Sequence, residues 1–373
     1  MRRRLVRAIK TVLKTAWFAR RVSVPLSPRH LSIVWRVSRI CIRHKFRPDE
    51  AFRLGLFHPS FPSEGHERYV SFKRLSRLQQ TLNPKDWVPL TSNKSLFYTH
   101  AAAAGLPVPM HMATVFPDGT GAASNGAWLA TADQWARFID QDLPDEFVVK
   151  RVLGMIGRGF HVFARRDGQF VEARGARYDA RGLYGWLRTQ AGDNGVLLQQ
   201  RIRGHPDLAR LSDTSFLQTA RMITLTDREG VGRLIFAYLK LIVGDNVIDN
   251  CLAGRHGNIE ASLDMETGRL ITGIAFVQDG RPPQPVPAHP RTGLPIAGFQ
   301  IPWWPEACQL ARRAAEAFRP LRTIGWDIAI TPDGPCIIEG NAWWASANEQ
   351  GCMPRLYQML QEAVADRESG MPV

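Results

Sequence analysis

Gly325-Trp326-Asp327-Ile328-Ala329-Ile330-Thr331-Pro332-Asp333-Gly334-Pro335-Cys336-Ile337-Ile338-Glu339-Gly340-Asn341 decides how this chain is read. Apolar runs flank Pro332-Asp333-Gly334, so two short strands joined by a tight turn are expected. Proline presets a type I turn and glycine takes the left-handed position, which predicts a three-residue loop with Thr331 opposite Pro335. Counting outward sets Asp327 opposite Glu339. Asn341, two residues on, shares the face of Glu339. Three oxygen-bearing side chains then converge beside Ile328, Ile330, Ile337 and Ile338. Hard oxygen ligands in that number suit Mg²⁺, with Mn²⁺ as an alternative, and such an ion reaches out to nucleotide phosphates. A solvated hairpin face is the competing reading of this stretch alone.

Upstream segments bear on that choice. Lys150 ends an apolar strand at 147–152 and is followed by Gly154-Met155-Ile156-Gly157-Arg158-Gly159. Glycines so closely spaced let backbone amides approach a polyanion, and Lys150 and Arg158 add positive charge beside them. The spacing fits neither the Walker loop nor the dinucleotide fingerprint, and glycine-rich turns between strands are common. Lys94 stands at the head of a helix. Arg221 sits on an otherwise apolar strand, where it needs a carboxylate such as Glu339 or a bound anion. Lys240 and Asn250 are weaker cases of the same kind.

At 373 residues the chain suffices for two or three structural units of roughly 150 residues each. With 45% hydrophobic and 22% charged residues it reads as globular. The net charge of +14 comes from residues 1–48, which hold 14 Lys or Arg and no acid; the remainder has 34 of each sign. Within that segment Leu5, Ile9, Val12, Leu13 and Ala16 recur at helical spacing beside Arg3, Arg7, Lys10 and Lys14. Basic amphipathic helices of this kind lie on anionic membrane, on an acidic protein partner or on the protein's own body. No nucleic-acid reading motif accompanies the charge, so no nucleic acid is expected. Lysines and arginines interrupt every candidate signal core, and no run approaches a membrane span. The five cysteines are scattered, which suggests neither a disulfide framework nor a zinc site. A cytoplasmic protein, peripheral at the inner membrane surface if the basic helices bind lipid, is the expectation.

The pattern along the chain divides into a basic helical segment at 1–50, a connecting region at 51–92, and two α/β lobes at 93–195 and 196–365. Helices are expected near 94–104, 132–140, 184–190 and 305–318. Strands are expected at 147–152, 161–165 and 169–174 around Asp167-Gly168, then at 195–202, 219–226, 233–243 and within 258–274. Prolines in 281–297 mark an irregular loop. His205 and His289 precede prolines and read as turn-stabilising. Trp303, Trp304, Trp343 and Trp344 read as packing or as an acceptor rim.

Taken together, the segments around Lys94, Lys150, 198–206, Arg221, 248–250 and 325–341 resemble the ATP-grasp superfamily. Within it they are similar to the sugar-transfer-associated branch related to α-L-glutamate ligases. The resemblance spans about residues 50 to 360 and implies an α+β fold in which two lobes with antiparallel sheets clamp ATP. It implies phosphate contacts from Lys94, Lys150, Gly154, Gly157, Arg158, Gly159 and Lys240. It further implies adenine against Gln199, Gln200 and Ile202, and Mg²⁺ on Asp327, Glu339 and Asn341. Arg221 and Lys150 would serve the reacting groups. Family members often carry Glu where this chain has Gln199, and Pro where it has Arg151. The implied chemistry is ATP-dependent ligation of a carboxylate to an amine through an acyl phosphate, in cell-surface polysaccharide or amino-acid conjugate synthesis. A kinase acting on a hydroxyl, or a non-catalytic scaffold anchored by its basic segment, are the alternatives.

Overall fold

The computed structural model describes residues 2–59, 61–62, 65–154, 157, 159–251, 254–345 and 351–369. The chain begins with helices α1 (Arg2–Ala19), α2 (Pro28–His44) and α3 (Pro48–Arg53), followed by α4 (Phe72–Leu82), α5 (Pro89–Ser92) and α6 (Lys94–Ala103). A first sheet and its helices then form from β1 (His111–Val115), β2 (Gly121–Ala123), β3 (Trp128–Leu129), α7 (Ala132–Gln141), β4 (Glu146–Arg151), β5 (His161–Arg166), β6 (Gln169–Glu172), β7 (Arg177–Tyr178), α8 (Ala180–Ala191) and β8 (Val196–Gln200). Its strand order is β3-β2-β1-β8-β4-β5-β6-β7.

The second sheet draws on α9 (Pro206–Ser212), β9 (Thr219–Thr226), β10 (Gly232–Leu241), β11 (Ile259–Leu263), β12 (Leu270–Ala275), β13 (Gln284–Val286), α10 (Trp304–Ala317), β14 (Thr323–Thr331), β15 (Gly334–Asn341) and α11 (Met353–Ser369). Its order is β13-β12-β11-β10-β9-β14-β15. Every strand pair in both sheets is antiparallel, so the α+β expectation holds.

Side-chain alternation assigns the faces. In the first sheet Phe147, Val149, Phe163 and Leu198 pack under Trp135, Ile139, Leu183 and Leu187 of α7 and α8. That leaves Val148, Lys150 and Gln199 on the opposite face. In the second sheet Met222, Leu239, Trp326, Ile328 and Ile337 pack against α6 and α10 in the largest core. The other face is shared. One end, with Ile223, Tyr238 and Trp344, lies beneath α4 and α11 through Leu75, Leu82, Met353, Leu356 and Leu360. The uncovered end carries Thr219, Arg221, Lys240, Asp327 and Glu339. Charged groups on a strand face are costly under a helix, so they sit where no helix covers them.

The connecting region is more ordered than its composition suggested. Asn83, which caps α4, donates to Thr323 O at 2.8 Å and Ala342 O at 3.0 Å and accepts from Thr323 N at 3.0 Å. Gln79 donates to Trp344 O at 2.9 Å. These buried amides pin α4 to the roots of β14 and β15. The basic segment is also folded onto the body. Ile33, Val37, Ile40 and Cys41 pack with Phe46, Phe52 and Phe57 in a separate core, and Arg21 donates to Gln278 O at 3.2 Å.

Candidate active site

The deciding hairpin forms, but not by the expected route. Its turn holds two residues, because Thr331 pairs with Gly334 and Ile330 with Pro335. Gly334, at φ 122°, begins the return strand, so the three-residue loop is corrected. A bulge at Ile338 then restores the offset: Ile328 pairs with Ile337, and Asp327 with Glu339. Two departures from regularity cancel, and the acids face each other as expected. The bulge also turns Ile338 toward the cleft and its carbonyl toward the Tyr98 hydroxyl, which donates to it at 2.5 Å.

Register across β9 adds what the hairpin alone hides. Asp327 lies opposite Arg221, and Arg221 opposite Tyr238. Arg221 grips Asp327 with both arms of its fork, Nε to Oδ1 at 2.7 Å and Nη2 to Oδ2 at 3.2 Å. Lys240 Nζ stands 3.1 Å from the same Oδ1 and 3.3 Å from Asp249 Oδ1. Asp249 in turn accepts from the Thr219 amide at 2.9 Å and from its hydroxyl at 2.5 Å. Asn341 Nδ2 donates to Gly325 O at 3.4 Å and Glu339 Oε1 at 3.3 Å, which leaves its Oδ1 as an acceptor.

The first sheet supplies the facing wall. Lys150 Nζ donates to Gln199 Oε1 at 2.7 Å, so glutamine serves the lysine where a glutamate would. Gln199 Nε2 is buried with no partner in good hydrogen-bond geometry among the described residues, and its side chain neighbours the Tyr98 hydroxyl. Lys94, first residue of α6 behind the Asn93 cap, donates to Gly154 O at 2.9 Å and lies 4.0 Å from Glu339 Oε2. A Cβ on Gly157 (φ +65°) would meet the Ile248 side chain at 3.0 Å, so the glycine loop reaches across to the second sheet's loop.

Between the walls lies a cleft of about 890 Å³, its open mouth included, bordered by Lys94, Lys150, Gly154, Lys240, Asp327 and Glu339. It adjoins a narrower space of about 450 Å³ walled by Val148, Val162, Phe216 and Val247 and edged by Gln199, Gln200 and Ile202. Lys150, Phe160, Leu217 and Ile338 border both. A charged end thus opens into an apolar end.

Electrostatics separate the basic groups. Burial pushes Lys150 down to about 8, with Lys94 adding to the fall and Glu339 opposing it. Burial works equally against Lys240 and Arg221, but Asp249 and Asp327 outweigh it for the first and Asp327 for the second, so both rise. Burial alone would raise Asp327; Arg221 and Lys240 hold it instead at about 2. Asp249, Asp327 and Glu339 face Lys94, Lys150, Arg151, Arg221 and Lys240, an excess of two positive charges. That balance admits a cation–polyphosphate pair more readily than a bare polyphosphate.

Most residues singled out from sequence therefore gather here. Asp327, Glu339 and Asn341 share one face, and Lys94, Lys150, Gly154, Gly157 and Lys240 surround it. Gln199, Gln200 and Ile202 edge the apolar end. Gly159 does not border the cleft itself but lies against Arg151, which does. Arg158 falls outside the described residues. Arg221 pairs with Asp327, not with Glu339. His205 caps α9 by accepting from Asp207 N, and His289 contacts Ile242 O. Trp304 and Trp344 are buried, whereas Trp303 and Trp343 remain partly exposed. Sequence reasoning passed over Asp249, although an acid beside Asn250 in the loop after β10 was a usable signal. It also passed over Tyr98, which helical spacing alone assigns to a core.

Oxygen donors from Asp327, Glu339 and Asn341 fit a hard divalent cation, provided the ion shares Asp327 with Arg221 and Lys240. Among described residues no cluster of three His, Cys, Asp or Glu forms, so an asparagine oxygen is needed to complete the set.

The sequence matches the family model described as sugar-transfer associated ATP-grasp over residues 73–360. No curated protein matches it. Among solved structures it is similar to biotin carboxylase from Campylobacter jejuni in a β-γ-ATP complex, at 14% identity and TM-score 0.44, over 76% of this chain and 47% of that one. It is similar to N5-carboxyaminoimidazole synthase from Aspergillus clavatus, at 11% identity and TM-score 0.43, over 82% and 59%. It is also similar to an L-amino acid ligase from Bacillus licheniformis, at 15% identity and TM-score 0.37, over 74% and 48%. The chain spans between 47% and 59% of the length of these structures. With most of its length inside that one family model, from α4 to the first half of α11, this chain belongs to the sugar-transfer associated ATP-grasp family.

Proposed function

We propose that the protein is an ATP-dependent ligase that joins a carboxylate to an amine through an acyl phosphate. The observation that carries this reading is the cleft itself, with amino groups of Lys94 and Lys150 on one wall and the Asp327–Glu339–Asn341 face on the other. Membership of the family supports ATP as the co-substrate. The buried Gln199 Nε2 without a hydrogen bond suits an acceptor nitrogen of a base in the apolar end.

In this reading Lys94, Lys150 and the backbone around Gly154 and Gly157 hold the phosphates, and Lys240 fixes Asp327 and Asp249 in place. A divalent cation on Asp327, Glu339 and Asn341 would neutralise phosphate charge. The substrate carboxylate oxygen forms a bond to the γ-phosphorus as the bond to the bridging oxygen breaks, releasing ADP. The amine then attacks the acyl carbon, phosphate leaves with the C–O bond pair, and the ammonium proton passes to solvent. Arg221, gripped by Asp327, would orient the carboxylate. The family's description as sugar-transfer associated supports an acceptor that carries a sugar.

Hydroxylamine trapping tests the chemistry. A carboxylic acid, magnesium and ATP should yield hydroxamate with matching ADP release. ADP release that follows an added alcohol and gives no hydroxamate would assign phosphoryl transfer to a hydroxyl instead.

A further inference from the structure

Helix α1 is turned inside out. Thr15 and Ala19 are its fully buried residues, and Thr11 and Thr15 satisfy their hydroxyls on Arg7 O and Thr11 O within the helix. Its apolar ladder points to solvent instead: Leu5, Ile9, Leu13 and Trp17 recur every fourth residue, and Leu13 and Trp17 are 65% and 57% exposed. Spacing of four keeps these side chains on one face along most of the helix. The following loop leaves Leu26 80% exposed, and α2 exposes Leu31, Trp35 (65%) and Ile42 while burying Ile33, Val37 and Ile40. An amphipathic helix normally hides its apolar stripe, and exposed apolar area on this scale marks a contact surface.

The charges beside it name the occupant. Arg7, Lys10 and Lys14 are exposed along one flank of the ladder. Arg39 sits over the Trp35 ring at 5.4 Å. Arg7 also lies within the field of Lys73, alongside Arg77 and Lys45, so α4 continues the basic surface. No acid occurs in residues 1–48. A second copy would set like charge against like charge. A negatively charged bilayer instead offers phosphates to the lysines and arginines, an interfacial zone to Trp17 and Trp35, and acyl chains to the leucines and isoleucine. No described helix is long and apolar enough to cross a membrane, which leaves binding in the plane of the surface.

We infer that α1, the loop after it and the outer face of α2 form a docking surface for anionic lipid bilayer. This inference is independent of the ligase reading, since none of these residues borders the cleft.

Flotation of the full chain with vesicles tests it. The protein should float with vesicles containing phosphatidylglycerol, stay behind with phosphatidylcholine alone, and detach progressively as salt is raised. Ile9→Asp with Leu13→Asp should weaken flotation by at least about tenfold. Lys10→Glu with Lys14→Glu should do the same, with melting temperature unchanged for both. Equal flotation with neutral vesicles, or none with anionic ones, would overturn the assignment. So would a ladder variant that floats normally, or one that only dissociates a dimer in sedimentation; the latter would make this face a contact between copies. Binding to an acidic protein in place of vesicles would likewise replace lipid as the occupant.

Discussion

Lys150 is the residue whose chemistry is most exposed to test. Its amino group titrates near 8 because burial removes it from water. It is charged below that pH and neutral above it, so nucleotide affinity should fall as pH rises through about 8, with a slope approaching about tenfold per pH unit. Lys150→Arg should abolish the pH dependence, since guanidinium stays protonated; a calorimetric affinity profile from neutral to alkaline pH checks both. Asp327 calls for different handling. Asp327→Ala strands Arg221 without its carboxylate and leaves Lys240 only Asp249, which should destabilise the fold by about 3–5 kcal/mol in a denaturant titration. Glu339, partly exposed and weakly tied, is the better probe of the cation. The cleft's acids and lysines were legible one by one in the sequence. The Arg221–Asp327 pairing was not, because 106 residues separate the partners and only the β9–β14 register joins them.

At the scale of elements, hairpin β14–β15 shows how a correct pairing arises from a wrong turn. Sequence favoured a three-residue loop; the chain spends one residue fewer in the turn and one more in a bulge. Turn chemistry is local, whereas a bulge answers to the neighbouring strand and to Tyr98, so only the former could be read directly. The Asp167–Gly168 turn held as expected, both residues adopting positive φ. The glycine loop makes its own prediction. Gly157→Val puts a branched side chain at φ +65°, into Ile248. Nucleotide affinity should fall at least about tenfold, while the thermal midpoint shifts little, because the loop lies outside every core. A midpoint that drops as far as for a core substitution would show that the loop supports the fold.

The whole molecule is two antiparallel sheets facing a cleft, with a helical layer that closes one end of the second sheet. The helices expected near 94–104, 132–140 and 305–318 appear as α6, α7 and α10. Helices α4 and α11 escaped, although Leu75, Leu82, Met353, Leu356 and Leu360 bury one face of each, and α4 is further held by buried amides that meet backbone far along the chain. Asn83 is the clearest case. Asn83→Ala leaves Thr323 N, Thr323 O and Ala342 O buried without partners and should cost about 2–3 kcal/mol in denaturant unfolding. A loss below about 0.5 kcal/mol would mean that α4 is not anchored there. This anchor and the face proposed to hold a cation meet at β14 and β15, and the central proposal is that the uncovered end of the second sheet binds a magnesium–nucleotide pair. Calorimetric titration of ATP into the protein with magnesium measures it. Saturable binding that is lost with chelator and weakened at least about tenfold by Glu339→Gln, in a variant of unchanged melting temperature, is the predicted result. No heat with the wild-type chain, or binding indifferent to both magnesium and Glu339, would contradict it.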